Sequence, residues 1–141
     1  TAPLKYYAMD IGLRNERLNF RQQERSHIME NIIFNELISR GYSVDVGVVQ
    51  VSTTINGVQK KNNLKIDFIV NQGFNKIYIH SAFSIDDPEK KNQETKSLLN
   101  SGDFFKKIVV VGGNQKRYQD ENGITIIGVI PFLLEKDSVE K

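Results

Sequence analysis

The alternation of apolar and polar positions is clearest in the middle of the chain. Leu64, Ile66, Phe68 and Val70 alternate with Lys65, Asp67 and Ile69, and Ile77, Ile79, Ser81 and Phe83 alternate with Tyr78, His80 and Ala82. Both stretches are rich in β-branched and aromatic residues and read as strands, joined through the turn-prone Asn71 to Asn75. Side chains alternate across a strand, so Leu64, Ile66, Phe68 and Val70 are expected on one face and Lys65, Asp67 and Ile69 on the other. An acid inside such a strand costs free energy unless it is paired. Asp67 therefore needs a partner, and His80 on the neighbouring strand needs an explanation too.

Upstream the period changes. Ile28, Ile32, Ile33, Leu37 and Ile38 recur at three- and four-residue steps, which predicts a helix from Gln22 to Arg40, closed by Gly41. Glu30 borders that stripe. Arg14, Arg17, Arg21 and Arg25 are spaced to form a basic stripe if the helix begins earlier, although Phe20 to Gln22 is expected to interrupt it. The plain reading of these arginines is a solvated, ion-paired face. Leu4 to Met9 has the composition of a short strand.

Tyr42 to Thr54 alternates around Val44, Val46, Val48 and Val51 and predicts a strand, followed by the tight-turn pair Asn56-Gly57 and a polar connection over Lys60 to Asn63. Asp87-Pro88 begins a mostly polar helix to about Asn100, anchored by Leu98 and Leu99. Lys107 to Val111 is a continuous apolar run, as in a strand buried on both faces. Ile124 to Ile130 reads as another, Pro131 to Leu134 as a helical turn, and residues 137–141 as a frayed tail. The predicted order is helix, three-stranded meander, crossover helix, then buried strands: a mixed α/β fold with a right-handed parallel crossover.

Composition narrows the function classes. The chain has 141 residues, enough for one domain with a core, and no cysteine, which excludes disulfides and thiolate metal sites. No apolar run approaches a bilayer span, and no secretory leader is apparent, which fits a cytoplasmic protein. A net charge of +2 does not by itself announce nucleic-acid binding, so any such surface must be local. The chain opens at Thr1 rather than Met, as expected of a piece of something longer.

The αβββαβ order, with Glu30 on the first helix ahead of Gly41 and Asp67 on the middle strand, resembles the PD-(D/E)XK nuclease fold, a restriction-endonuclease-like core. Tyr78-Ile79-His80-Ser81-Ala82 occupies the place of that superfamily's Glu-X-Lys, with His80 where the Glu should be and Ala82 where the Lys should be. A resemblance over nearly the whole length is to the C-terminal domain of a prokaryotic AAA-type ATPase family, a domain of unknown function. It is carried by Lys5-Tyr6-Tyr7, Asp10-Ile11-Gly12-Leu13-Arg14-Asn15, Phe20-Arg21-Gln22, Glu24-Arg25, His27, Glu30-Asn31-Ile32, Asn35-Glu36-Leu37, Ile66-Asp67-Phe68-Ile69 and Tyr78-Ile79. It implies a connecting segment over residues 1–21 that would follow an ATPase domain, a nuclease-like α/β domain over 22–136, and the tail. Phosphate-binding-loop residues, G-x-x-x-x-G-K-[ST], do not occur, so ATP would bind the missing upstream domain and these residues are not expected to hydrolyse it.

The resemblance also places the chemistry. Glu30, Asp67 and His80 are the expected remnants of a metal centre, close together in space and with Asp67 and His80 on one sheet face. The ion such a centre would take is Mg²⁺ or Mn²⁺; imidazole favours Mn²⁺ or Zn²⁺ over Mg²⁺. Lys65, two residues before Asp67, is the candidate for a relocated catalytic lysine, with Lys76 a weaker one. The leading expectation is a non-catalytic module that binds nucleic acid, DNA or RNA, through Lys60, Lys61, Lys65 and Lys76, with Lys106 and Lys107 as further lysines of the same sheet. The alternatives are a metal-dependent nuclease and a structural domain that docks on its own ATPase half or on a second copy of itself.

Overall fold

The computed structural model describes residues 18–141, with side chains from residue 23 onward. Leu4 to Met9, Arg14 and Arg17 lie outside the described residues, as does most of the connecting segment over 1–21. Helix α1 spans Leu18–Ser39 and is followed by strands β1 (Ser43–Ile55), β2 (Val58–Gln72) and β3 (Asn75–Ala82), then helix α2 (Pro88–Leu99). Strands β4 (Lys106–Val111), β5 (Tyr118–Gln119) and β6 (Thr125–Gly128) come next, and helix α3 (Val129–Leu134) follows. The sheet has six strands in the order β1-β2-β3-β4-β6-β5. β1, β2 and β3 form an antiparallel meander, β3, β4 and β6 are parallel, and β5 returns antiparallel at the far edge. The fold is α/β, a mixed sheet flanked by helices.

Both faces of the sheet are covered. On one side Met29, Ile33 and Leu37 of α1 pack with Phe68, Val70, Ile77, Ile79, Ile108, Val110 and Phe132. On the other, Leu98 of α2 packs with Ile66, Tyr78, Ala82, Val109, Val111 and Ile126. The buried helix stripe is thus Met29-Ile33-Leu37 at four-residue steps. Ile32 and Ile38, expected within it, are 39% and 48% exposed. Helix α1 runs through Phe20 to Gln22 without the expected interruption. It ends where Gly41 takes φ +88°, Gly41 N–H donates to Ile38 O, and Tyr42 N–H reaches back to Leu37 O.

Three departures from the sequence pattern matter for the site. First, Ile66 and Phe68 face opposite sides of the sheet, because the β1–β2 register slips between the pairs Asp45–Ile69 and Gly47–Ile66. This β-bulge places two β2 residues, Asp67 and Phe68, against one on β1. Gly47 lies beside it under the Ile69 side chain, whose Cδ1 would stand 2.4 Å from a Cβ at that position. Second, Lys60 to Asn63 is part of β2 rather than a connection, so β1 and β2 extend well past their last β3 partner as a two-stranded ribbon. Asn56 and Gly57, at φ 53° and 78°, close its tip as a two-residue turn. Third, β6 ends at Gly128 and helix begins at Val129, earlier than the apolar run suggested.

Residues 137–141 are packed rather than frayed. Ser138 and Val139 are fully buried, Val139 within the α1-side core. Ser138 Oγ donates to Phe132 O, Lys106 Nζ donates to the carbonyls of Val139 and Lys141, and Arg117 donates to Ser138 O.

A carboxylate–lysine–histidine cluster at the β2–β3 parting

The last β2–β3 pair is Phe68–Ile79, and beyond it the bulge turns β2 away from β3. The parting exposes strand N–H groups that have lost their ladder partner, and Asp67 supplies an acceptor. Its Oδ2 takes the N–H of Ser81 at 2.8 Å, so the carboxylate lies between the strands rather than on either face. Asp67 is 6% exposed. From the α1 side Lys65 Nζ stands 3.6 Å from Asp67 Oδ1 and 3.7 Å from Glu30 Oε1. Glu30 reaches the sheet from α1, with His27 one turn before it at 4.0 Å.

His80 alternates with Tyr78 and Ala82 and so stands on the α2 side. Its Nδ1 is 3.2 Å from Asp67 Oδ2 and its Nε2 is 3.9 Å from Glu94 Oε2. Nδ1 is buried and makes no well-directed hydrogen bond, so its contact with Asp67 is one of charge and proximity. Glu30, Lys65, Asp67, His80 and Glu94 thus form a chain that runs through the plane of the sheet and alternates in sign when His80 is protonated. Glu30, Asp67 and His80 come together, but Asp67 and His80 meet through the gap between two strands, where one shared face was expected.

Burial, followed by the Asp67 carboxylate, holds the Glu30 carboxyl above its ordinary value, against the pull of Lys65 and His27. For His80 burial pushes the imidazole down, yet the surrounding Glu94, Asp67 and Glu30 carboxylates outweigh it and the net shift is upward. A histidine with a raised folded-state value contributes stability below its unfolded value of about 6.5, and that contribution is lost as pH rises through the folded value. The stability difference between wild type and His80→Gln is therefore expected to be larger at pH 6 than at pH 9, measured by urea unfolding at both. A difference that stays constant or grows with pH would show that His80 is not held by these carboxylates.

The donor set does not fit a divalent ion. A hard cation needs several free oxygens. Here Lys65 stands between Glu30 and Asp67, Asp67 Oδ2 is taken by Ser81, and the third expected ligand is an imidazole. Among the described residues no three His, Asp or Glu side chains converge as a cation cage. The three residues expected to hold a metal are neighbours, but they do not converge on one point, and the Lys65 ammonium stands between the two carboxylates.

The expected lysine surface does not form one patch. Lys65 belongs to the cluster, Lys107 is held by Asp103 and Phe105 O, and Lys106 is turned to the C-terminus. Lys76 pairs with Asn71, ten residues along β2 from Lys61 and roughly 33 Å away at the rise of a strand. Lys60 and Lys61 remain together on the ribbon. Arg25 lies over the Phe83 ring at 5.9 Å.

Glu94 and the Ser81 N–H are the site groups that the sequence reading missed. Glu94 carries a recoverable signal: it lies four residues before Leu98, the anchor of α2, and therefore on the same helix face.

No family model matches the chain. A Haemophilus influenzae protein described as "Uncharacterized protein" is 36% identical over 133 residues, which cover 93% of this chain. The chain spans 29% of the length of that relative. Among the described residues no helix is long and apolar enough to cross a membrane.

Proposed function

We propose that this chain is a non-catalytic nucleic-acid-binding module of a longer protein, with a restriction-endonuclease-like ancestry and a neutralised site. The longer protein, on this reading, is a AAA-type ATPase whose C-terminal domain this is. The element order and the grouping of Glu30, Asp67 and His80 support the ancestry; the in-plane stance of Asp67 and the loss of the Glu-X-Lys pair depart from it. The observation that carries the reading is the ribbon. Residues 46–66 contain no Asp or Glu, and of their three lysines Lys65 is paired with Glu30 and Asp67, which leaves Lys60 and Lys61 as the local positive charge in a chain where the two signs are otherwise nearly balanced. Local positive charge of this kind is what attracts a phosphate backbone.

The lack of catalysis follows from the cluster. Ala82 cannot stabilise developing phosphate charge, and losing one such donor commonly costs on the order of 10²–10³ in rate. Lys65 lies against Asp67 as a relocated lysine would, but its ammonium also neutralises the carboxylates that would have to hold the ion. The 141-residue chain is expected to retain DNA or RNA with an affinity that falls steeply with salt, and to leave duplex, single-stranded and branched DNA uncut with Mg²⁺ or Mn²⁺. Cleavage by wild type that disappears in both Asp67→Ala and Lys65→Ala would establish the nuclease instead. No retention of nucleic acid, together with a stable dimer in sedimentation, would establish a docking domain.

A further inference from the structure

The ribbon has two different faces. Cross-strand partners share a face, and the pairs Gln50–Asn63, Ser52–Lys61 and Thr54–Gln59 lie on the same side as Lys65. All six side chains are exposed. The opposite side carries Val49–Leu64, Val51–Asn62 and Thr53–Lys60, and on it Val49, Val51, Thr53 and Leu64 are half-buried. Val49 packs against the α2-side core and fixes the ribbon's base. One face is therefore anchored where it joins the body. The other presents three successive pairs of hydrogen-bonding side chains to solvent.

We infer that this exposed face of the β1–β2 ribbon enters the major groove of duplex DNA, with Lys61 from that face and Lys60 from the opposite one reaching the phosphates on either side of the groove. The inference rests on the nucleic-acid-binding reading above and names its ligand. A two-stranded ribbon fits the major groove of B-DNA, and Gln, Asn, Ser, Thr and Lys are the side chains that read base edges there. From the pair Val48–Lys65 to the pair Ile55–Val58 it extends about 25 Å, enough to lie along several base pairs. Single-stranded nucleic acid is a poorer fit, because residues 46–66 include no Phe, Tyr or Trp on which bases stack. Duplex RNA is poorer too, since its deep, narrow major groove does not admit such an element. A protein partner would want an apolar anchor at the centre of the contact, whereas the exposed apolar side chains, Val48 at the base of this face and Ile55 and Val58 at the tip, lie at the ends of the ribbon and not among the three polar pairs.

The test is fluorescence anisotropy with the 141-residue chain and 20-base-pair duplex DNA drawn from a random pool. Single-stranded DNA and duplex RNA of the same length are compared between 50 and 200 mM salt. Duplex DNA is expected to bind at least about tenfold more tightly than either. Lys60→Ala/Lys61→Ala should weaken binding and lower the slope of log K against log salt by about 2, near 0.9 per lost phosphate contact. Lys60→Arg/Lys61→Arg should keep the slope. Gln50→Ala/Asn63→Ala should leave the slope unchanged and reduce affinity for duplexes selected from the pool by about tenfold. Unchanged thermal midpoints in these exposed-site variants exclude unfolding as the cause. Nucleic-acid binding that ignores Lys60 and Lys61, or that is as tight for single strands or duplex RNA, would overturn the ribbon assignment and leave the module reading standing. Absence of binding to all three would overturn both.

Discussion

Arg40→Ala is expected to destabilise the domain by about 3 kcal/mol, read as a lower urea midpoint at unchanged slope. Arg40 sits at the end of α1 with its side chain 8% exposed, and each part of the guanidinium is used. Nε donates to Glu36 Oε2 at 2.8 Å, Nη1 to Ser138 Oγ at 2.8 Å and Nη2 to Phe132 O at 2.7 Å. The plane also lies over the fully buried Phe132 ring, 5.0 Å from its centroid. Three elements therefore meet on one side chain: α1, α3 and the C-terminal residues. Hydrogen bonds to a charged group contribute about 1.5–3 kcal/mol each, and they do not simply add. Part of the loss is recovered, because Glu36 rehydrates and Phe132 O keeps its bond from Ser138 Oγ. Arg40→Lys should restore little, since an ammonium cannot serve three directions or stack on the ring. Faster proteolysis after residue 136 in Arg40→Ala would locate the loss at the tail. A cost under about 1 kcal/mol would show that the tail docks without this residue.

A second backbone device makes Gly128→Ala a clean comparison from the opposite end of the sheet. Gly128 donates to Gln115 O at 2.8 Å, and Ile130 N–H donates to Gly113 O at 3.1 Å, so the 113–115 loop lies directly on the β6–α3 junction. A Cβ at 128 would meet Gln115 N at 2.4 Å and Gly113 O at 2.6 Å, both backbone atoms that cannot turn aside. Overpacking of this kind costs about 1–3 kcal/mol. The expected signature is lost protection of the Gly128 and Ile130 amides in hydrogen exchange, and normal protection of both would contradict it.

Most of the fold was legible in the sequence because the parts of its strands that build the core are apolar and strong turn residues separate the elements. Asp87-Pro88, Asn56-Gly57 and Gly41 each set a boundary through a local conformational preference that tertiary contacts did not override. The bulge and the packed tail were missed because each depends on a contact distant in sequence. The bulge at Asp67 depends on how β2 pairs with Asp45 and Gly47 of β1, some twenty residues earlier, and it reverses the face of every β2 residue before it. Ile66 therefore left the side of Phe68, and Asp67 turned into the gap beside Ser81. Ser138 and Val139 looked like a polar tail because their burial depends on Arg40, Lys106 and Phe132. Lys60 to Asn63 looked like a connection because hydrophobic periodicity cannot mark a strand whose exposed face is polar. At the site, Glu30, Lys65, Asp67 and His80 were each identifiable as polar residues in apolar surroundings. Their arrangement was not, since alternation alone places Asp67 on a face.

Asp67→Ala is expected to cost about 3 kcal/mol of stability, and most of that cost should come from His80 and Ser81 rather than from Lys65. Three groups lean on the carboxylate. The Ser81 N–H at 2.8 Å loses its acceptor in a part of β3 with no β2 ladder partner, and an orphaned buried donor costs about 1–3 kcal/mol. His80, with 13% of its side chain exposed, loses the nearer of its two carboxylates and keeps Glu94 at 3.9 Å. Lys65 is 59% exposed, so its ion pair is screened by solvent and contributes at most about 1 kcal/mol. Asp67→Asn should recover roughly half of the loss, because its amide oxygen still accepts from Ser81 while the negative charge is gone. A double-mutant cycle separates the terms: Asp67→Ala with His80→Gln should show coupling of about 1 kcal/mol or more at pH 6, and Asp67→Ala with Lys65→Met much less. The His80 coupling should shrink as pH rises and the imidazole loses its proton. If Lys65 instead carries the larger coupling, the ammonium is the principal partner of Asp67. The cluster would then be a two-carboxylate lysine clamp, with His80 a bystander on the α2 side.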